Sequence, residues 1–261
     1  MPSGQTLIQS HLPAIPGSTY SPANYKTVTP SADSTRNTPC PKVVMNFGNE
    51  MRDALNHASL QPSLQRQYNS IDTETSSQLK TEGDVERTAA LYLTHNPIII
   101  IEDLLSRNPR LGGLRVLSQH TSGGDRPDLV FYVGNTIVLV LEYKKTDTLD
   151  KSNWDPAFAL NLQIAAQLAQ ARGNNLQKNA IVIAQQCAKY GRSTQLTCPL
   201  VLCANYQKMV LLDFKYNNQV YDNATNPVRW WFSNDETSSF LTHQQLLLAA
   251  LVYGMQKQGL L

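Results

Sequence analysis

The sequence lacks the features that mark several classes of protein. Its four cysteines include no CxxC pair, and no histidine stands near them at zinc-site spacing, so we expect free thiols in a reducing compartment. The first residues contain neither the basic segment nor the apolar core of a secretory signal. The longest apolar run, near LLLAALVYGM, is too short to span a bilayer. We therefore expect an intracellular protein, of the cytoplasm or nucleus, with no membrane partner.

Charged residues are also scarce. They make up 16% of the 261 residues and the net charge is +2, so total charge gives no reason to expect a polyanionic partner. Nucleic acid would need a local basic patch, and the stretch 107–145 is locally basic. Within it, Arg110, Arg115 and Arg126 are candidates for contacting a phosphate backbone. A solvated loop is the equal alternative.

Prolines are unevenly distributed along the chain. Eight of the fourteen fall within residues 1–62, among many Ser, Thr and Asn residues. This composition predicts an extended arm over residues 1–48. We expect residues 49–261 to form a single domain, with a core at about 80–215 and a C-terminal helical extension. A homodimer, if one forms, is expected to use the arm or the C-terminal helix.

Hydrophobic periodicity predicts a layered α/β fold. Helices are expected near 82–94, 156–172 and 177–190 and at the C-terminus. Strands are expected near 115–120, 128–133 and 137–145, with two more in PLVLCANYQKMVLLDF. The segment IIIIEDLLSRN fits a helix or a buried strand equally well. The order of elements predicts a mixed central β-sheet flanked by helices.

The stretch RPDLVFYVGNTIVLVLEYKK predicts a hairpin that carries charges only at its open end. Asp128 stands at the entrance, and Glu142 and Lys144 stand at the exit on one face of their strand. A three-residue loop, Gly134–Thr136, would place Asp128 opposite Glu142. A two-residue loop would put them on opposite faces unless a β-bulge corrected the register. We therefore predict an odd loop or a bulge.

Two carboxylates on neighbouring strands repel each other in an apolar setting, and a divalent cation between them removes the repulsion. Oxygen ligands of this kind suit Mg²⁺ or Mn²⁺. Lys144, on the face of Glu142, is placed to touch a metal-bound water or an attacked phosphate. The combination predicts metal-assisted hydrolysis of phosphodiester bonds. The alternative is a solvent-exposed hairpin end with a cross-strand salt bridge.

Pro127-Asp128 and Glu142-Tyr143-Lys144 resemble the motif of the PD-(D/E)XK nuclease superfamily, which has the restriction-endonuclease-like fold. The resemblance covers roughly residues 80–215. It implies that Asp128, Glu142 and the backbone carbonyl of Tyr143 bind the metal. It also implies that Lys144 positions or activates the attacking water.

Two further features fit the same resemblance. Many members carry a glutamate on the helix before the sheet, and Glu86 is the best candidate, ahead of Glu82 and Glu102. The resemblance makes Glu86 a further metal ligand. Members of the RecB-like branch carry QxxxY on a helix after the ExK strand, and Gln186 and Tyr190 have that spacing. The alternatives are an ordinary first-turn glutamate and a pair on a helix surface.

The sequence therefore predicts a metal-dependent nuclease with DNA favoured over RNA as substrate. One alternative is a catalytically inactive nucleic-acid-binding or assembly protein that keeps the same fold. Another is a structural or interaction protein in which the charged hairpin end is incidental. A spaced D…ExK pattern alone is weak, so the interpretation depends on the hairpin context and the flanking helices.

Overall fold

The computed structural model describes residues 1–30, 33–71, 78–118, 126–192, 200–216, 219–220, 227–233 and 241–261. The strands among them are β1 (Val44–Asn46), β2 (Leu114–Ser118), β3 (Leu129–Val133), β4 (Thr136–Tyr143), β5 (Leu200–Ala204), β6 (Met209–Asp213), β7 (Lys215–Tyr216), β8 (Gln219–Val220) and β9 (Val228–Ser233). The helices are α1 (Gly4–Gln9), α2 (Asp33–Arg36), α3 (Glu50–Leu55), α4 (Gln61–Gln65), α5 (Glu82–Ala89), α6 (His95–Ser106), α7 (Leu162–Gln170), α8 (Lys178–Gly191) and α9 (His243–Lys257). The predicted strand end at 119–120 lies outside the described residues.

Seven strands form one sheet in the order β1-β9-β6-β5-β4-β3-β2, and β7 pairs with β8 in a separate ribbon. The pairs β4–β5 and β1–β9 are parallel and the other pairs are antiparallel, so the sheet is mixed. Residues 137–143 of the central strand β4 are buried on both faces. A strand that is apolar on both faces needs cover on both sides, and helices supply it. The predicted α/β class is confirmed.

Helices α9 and α8 pack on opposite faces of this sheet. On α9, Tyr253 donates its hydroxyl to Asp213 of β6 at 3.1 Å, while on α8 Gln186 donates to Glu142 of β4. Asp213 pairs with Leu200, and Glu142 with Cys203. Leu200 and Cys203 are three residues apart on β5, so their side chains point to opposite faces of the sheet. Paired residues on neighbouring strands share a face, so Asp213 and Glu142, with the helices that they contact, lie on opposite faces as well.

The helix near 82–94 is longer and less regular than the sequence predicts. After α5, residues 90–94 form a π-helical turn, and α6 follows without a break. Pro97 lies in the first turn of α6, just after this π-helical turn, and a residue without an N–H interrupts the regular helical bonding there. IIIIEDLLSRN is mostly helix. The helix predicted over 156–172 begins only at Leu162, because Asn161 caps it by accepting from the Ile164 N–H at 2.9 Å.

The segment 1–48 is predicted as an arm, but its described residues, 1–30 and 33–48, lie on the main body and contribute to it. Leu7 and Ile8 of α1 are buried, and β1 is an edge strand of the sheet, paired with β9. Short apolar clusters such as these cannot form a core alone, so they are buried against the rest of the chain.

The C-terminal helix, predicted as an extension, belongs to the core. Most residues of α9 are buried within the chain, which leaves little of its surface for a second copy. None of the helices in the described ranges is long and apolar enough to cross a membrane.

Candidate active site

The hairpin turn is a two-residue loop, and not the three-residue loop of the first expectation. Val133 pairs directly with Thr136, which leaves Gly134 and Asn135 as the loop. Gly134 has a φ of 58°, and a positive φ at the first loop position is typical of a type II′ turn. Glycine reaches this conformation without steric cost.

A β-bulge corrects the register of the hairpin, which is the second of the two alternatives that the sequence predicts. Phe131 pairs with Leu139 and Tyr132 with Ile137, so Val138 is the extra residue on β4. Beyond the bulge, the paired residues are Leu129 and Leu141. Continued by one residue, this register places Asp128 opposite Glu142, and both residues line the same cleft. The predicted bulge is confirmed.

Asp128 is held against the end of β4. Its Oδ2 accepts a hydrogen bond from the backbone N–H of Tyr143 at 2.6 Å. Burial, followed by the charge of Glu142, raises the pKa of Asp128 to about 7, although the Tyr143 bond acts in the opposite direction. Asp128 is therefore about half protonated at neutral pH without a cation.

Glu142 and Lys144 form a buried ion pair. Their residues are 5% and 6% exposed, and Lys144 Nζ lies 2.6 Å from Glu142 Oε1. Burial raises the pKa of Glu142 although Lys144 opposes the shift, and Glu142 Oε2 has no hydrogen-bond partner among the described residues. Burial is the largest single effect on the pKa of Lys144 and would lower it, but the charge of Glu142, the charge of Glu82 and the hydrogen bond to Glu142 act together in the opposite direction, and the pKa is raised. The exposed hairpin end considered as an alternative is therefore wrong.

Helix α8 brings Gln186 and Tyr190 to this pair. The Gln186 side-chain amide donates to Glu142 Oε1 and also lies 3.2 Å from the Tyr190 hydroxyl. That hydroxyl donates to the backbone carbonyl of Arg126 at 3.4 Å, on the segment that leads into Asp128. Tyr190 is only 3% exposed, so the two residues are not a pair on a helix surface. The QxxxY residues thus join α8 to Glu142 and to the segment that leads into Asp128.

On α5, the residue at the site is Glu82 and not the favoured Glu86. Glu82 Oε1 lies 3.4 Å from Lys144 Nζ and lines the cleft over the carboxylates. Glu86 lies one turn further along α5, beside Tyr143, whose pKa is raised by burial and also by the charges of Asp128 and Glu86. Residues four apart share a helix face, so the sequence pattern could not separate the two glutamates.

Only one of the three candidate arginines lies near the carboxylates. Arg126 is exposed and precedes Pro127-Asp128 directly. Arg115 lies at the turn, where it donates to the carbonyl of Gly134 at 3.0 Å and covers the Tyr132 ring. The turn is about 20 Å from Asp128 at the usual rise per strand residue. Arg110, in the helical turn Pro109–Leu111, precedes β2 at the same end. Arg110 and Arg115 therefore do not belong to this site.

The site opens into a cleft of about 220 Å³. Its lining combines residues of six segments: Thr27, Val28, Thr29, Glu82, Asp128, Glu142, Lys144, Lys145, Thr148 and Gln186. Sequence reasoning missed the three residues of the segment 27–29 and Thr148. No sequence motif marks them, because long-range hydrogen bonds to the main body place them at the cleft.

The donor set fits a hard divalent cation. Within the described ranges, no group of three or more His, Cys, Asp or Glu side chains is arranged to hold a metal ion. Mg²⁺, however, is usually bound by one or two carboxylates and keeps several waters. The partnerless Glu142 oxygen and the raised pKa of Asp128 are both features that a cation would relieve.

No family model matches the chain, and neither a curated protein nor a solved structure gives a match. The class of this site must therefore be argued from its own residues.

Proposed function

We propose that this chain is a metal-dependent nuclease of the PD-(D/E)XK type, with a restriction-endonuclease-like core, that hydrolyses phosphodiester bonds. DNA is favoured over RNA as substrate, and Mg²⁺ or Mn²⁺ is the cofactor. One observation carries the proposal: Asp128, Glu142, Lys144 and Gln186 line one cleft, and Tyr190 lies within hydrogen-bond distance of Gln186 behind it. These residues come from distant parts of the sequence, and each has the chemistry that the resemblance implies.

Asp128, Glu142 and the backbone carbonyl of Tyr143 would hold the cation. The Tyr143 N–H points to Asp128, and the N–H and C=O groups of a strand residue point to the same side. The carbonyl is thus directed towards the Asp128 side of the strand. When bound, the ion would supply positive charge to the phosphate and to the attacking water.

The ionisation of Lys144 limits its role. Its raised pKa favours the charged form, which donates hydrogen bonds. We assign it to donating hydrogen bonds to the phosphate, where negative charge develops. Gln186 holds Glu142 in place, and Tyr190 anchors the segment before Asp128.

One observation favours the alternative, a nucleic-acid-binding or assembly protein without turnover. In the 2.6 Å ion pair, the charge of Lys144 already neutralises Glu142. A protein that kept this fold but bound no cation would need such a pair to neutralise the buried carboxylate. The two functions differ in whether phosphodiester bonds are cut.

The test is a cleavage panel of single- and double-stranded DNA and RNA, each in Mg²⁺, in Mn²⁺ and with chelator. We expect cleavage that needs the cation and is abolished by Asp128→Asn, with DNA cut faster than RNA. Asp84→Asn, on a carboxylate of α5 that does not line the cleft, is the control and should cut as the parent does. Absence of cleavage by the parent in every arm, with nucleic acid still bound, would establish the alternative.

A further inference from the structure

We infer that residues 27–29 of the N-terminal segment are a wall of the catalytic cleft, that this wall restricts the cleft to single-stranded nucleic acid, and that Asn179 is the residue that positions it. This inference rests on the proposed nuclease function and names the substrate class of the same site.

Asn179 fixes the segment to the site through three hydrogen bonds. Its Oδ1 accepts from the backbone N–H of Val28 at 2.8 Å. Its Nδ2 donates to the carbonyls of Lys26 at 2.6 Å and Thr148 at 3.0 Å. Asn179 is 2% exposed, so its amide group is committed to these partners and not to solvent. One side chain on α8 therefore ties the N-terminal segment to the loop that follows Lys144.

Bonds from that loop hold the same segment from its other side. The backbone N–H of Lys26 donates to the Asp147 carbonyl at 2.9 Å, and its Nζ lies 3.2 Å from Thr146 Oγ1. Asn153 donates to the Tyr25 hydroxyl at 3.1 Å. The segment is thus anchored over several residues before it reaches the cleft. It therefore forms a fixed wall of the cleft.

The wall is polar where it faces the cleft. Thr27 and Thr29 are exposed, and Val28 between them is half-buried. All three residues line the cleft, so the wall presents two threonine side chains to a bound strand. Threonine hydroxyls contact phosphate and sugar groups and carry no base preference. This chemistry suits a nucleic-acid strand of any sequence.

The size and charge of the cleft favour one strand over two. A cleft of about 220 Å³ is too small to admit a duplex, which would have to stay at its mouth, whereas a single strand can bend into it. Among the described residues, the charged side chains lining the cleft are two lysines and three acidic residues, so this part of the lining provides no net positive charge for gripping a duplex. Binding must come from enclosing a flexible strand.

The experiment compares Asn179→Ala with Asn175→Ala. Asn175 also fixes the N-terminal segment, by donating to the carbonyls of Lys42 and Leu168 at 2.9 and 2.8 Å, but it lies outside the cleft lining. Both variants lose an amide that bridges two backbone carbonyls, so both lose stability. Steady-state cleavage in Mn²⁺ is measured on a single-stranded oligonucleotide and on its blunt duplex, with a melting curve for each protein.

For Asn179→Ala we expect KM for the single strand to rise about tenfold while kcat changes by less than about twofold, because the wall contributes to binding and not to the chemical step. The ratio of duplex to single-strand cleavage should rise by about tenfold as well. Asn175→Ala should keep the parent's KM and ratio. The double variant Thr27→Ala/Thr29→Ala, on exposed side chains, should raise KM without lowering the melting temperature, which keeps the test valid if Asn179→Ala fails to fold.

Equal strand ratios in the parent and both wall variants would overturn the inference. A rise in kcat on both substrates would also overturn it, because the segment would then be an inhibitory cover. If the parent binds but cuts nothing, the nuclease proposal fails on its own. Fluorescence anisotropy of labelled single-stranded and duplex oligonucleotides then tests the wall, which predicts the same loss of single-strand preference in Asn179→Ala.

Discussion

Removing the charge of Asp128 should stabilise the protein when no cation is present. In the folded chain the pKa of this carboxyl is about 7, against an ordinary value of 3.8, because of burial and then the charge of Glu142. A shift of about three units corresponds to roughly 4 kcal/mol of lost stability once the group is ionised. Asp128→Asn removes this cost and keeps an oxygen that accepts the Tyr143 N–H.

The sign of the effect depends on pH. Between about pH 4 and pH 7 the folded chain keeps a proton at Asp128 that the unfolded chain has lost. The parent therefore loses stability as pH rises through this range, and the full cost is present above pH 7. We expect Asp128→Asn to unfold like the parent near pH 4 and to be more stable at pH 8, by about 2–4 kcal/mol once local relaxation is allowed for.

The assay is thermal unfolding of both proteins in chelator at several pH values. For a chain of this size the gain at pH 8 corresponds to a Tm rise of roughly 5–15 °C. Adding Mn²⁺ should raise the Tm of the parent and reduce the difference, because the variant has lost a ligand. Asp84→Asn provides a control of opposite sign. Hydrogen bonds from Thr81 lower the pKa of Asp84, so this variant should be less stable than the parent at pH 8, by an amount that shrinks on acidification.

An Asp128→Asn variant that melts at or below the parent's temperature at pH 8 in chelator would refute this reasoning. It would show that the charge of Asp128 carries no cost in the folded chain, and the case for a cation at this site would then lose its physical basis.

Two further predictions concern the helices around the site. In a cleavage assay, Glu82→Gln should cut about tenfold or more slowly than the parent, while Glu86→Gln should cut nearly as the parent does. The reason is that, of these two glutamates, Glu82 is the one that contacts Lys144. The reverse order of rates would restore Glu86 to the site. Gly254→Ala should lower the free energy of unfolding, measured with denaturant, by several kcal/mol, because an added Cβ would lie 2.0 Å from the Val138 carbonyl oxygen. The control Gly113→Ala should be nearly neutral, because a Cβ there meets no atom within 4 Å. Equal losses in the two glycine variants would contradict the close packing of α9 on β4.

The hairpin was predictable because its information is local. Apolar strands flank a Gly-Asn turn, and the even spacing of Asp128 and Glu142 required either an odd loop or a bulge. The choice between them was not predictable, since it depends on how β4 bends against its neighbours. The bulge at Val138 lies where α9 packs closely, through Gly254.

Strands β1 and β9 escaped prediction for the opposite reason. Their partners are distant: Val44 pairs with Val228, and Met209 of β6 pairs with Ser233. β1 is only three residues long, and neither strand is joined to its partner by a short turn. The same holds for the wall at 27–29, which is fixed by an asparagine about 150 residues away. Long-range contacts of this kind leave no local pattern.

The most direct test of the central claim compares Lys144→Met with Lys215→Ala in Mn²⁺. Methionine keeps most of the buried volume of Lys144 and removes its charge, while Lys215 lies beyond the opposite end of β6 from the site. Cleavage of a single-stranded DNA oligonucleotide is followed for both variants and the parent, with melting curves to show that each is folded. The account predicts that the parent and Lys215→Ala cut at similar rates, and that Lys144→Met binds the oligonucleotide but cuts it at least about 100-fold more slowly. A Lys144→Met variant that cuts as fast as the parent would contradict it.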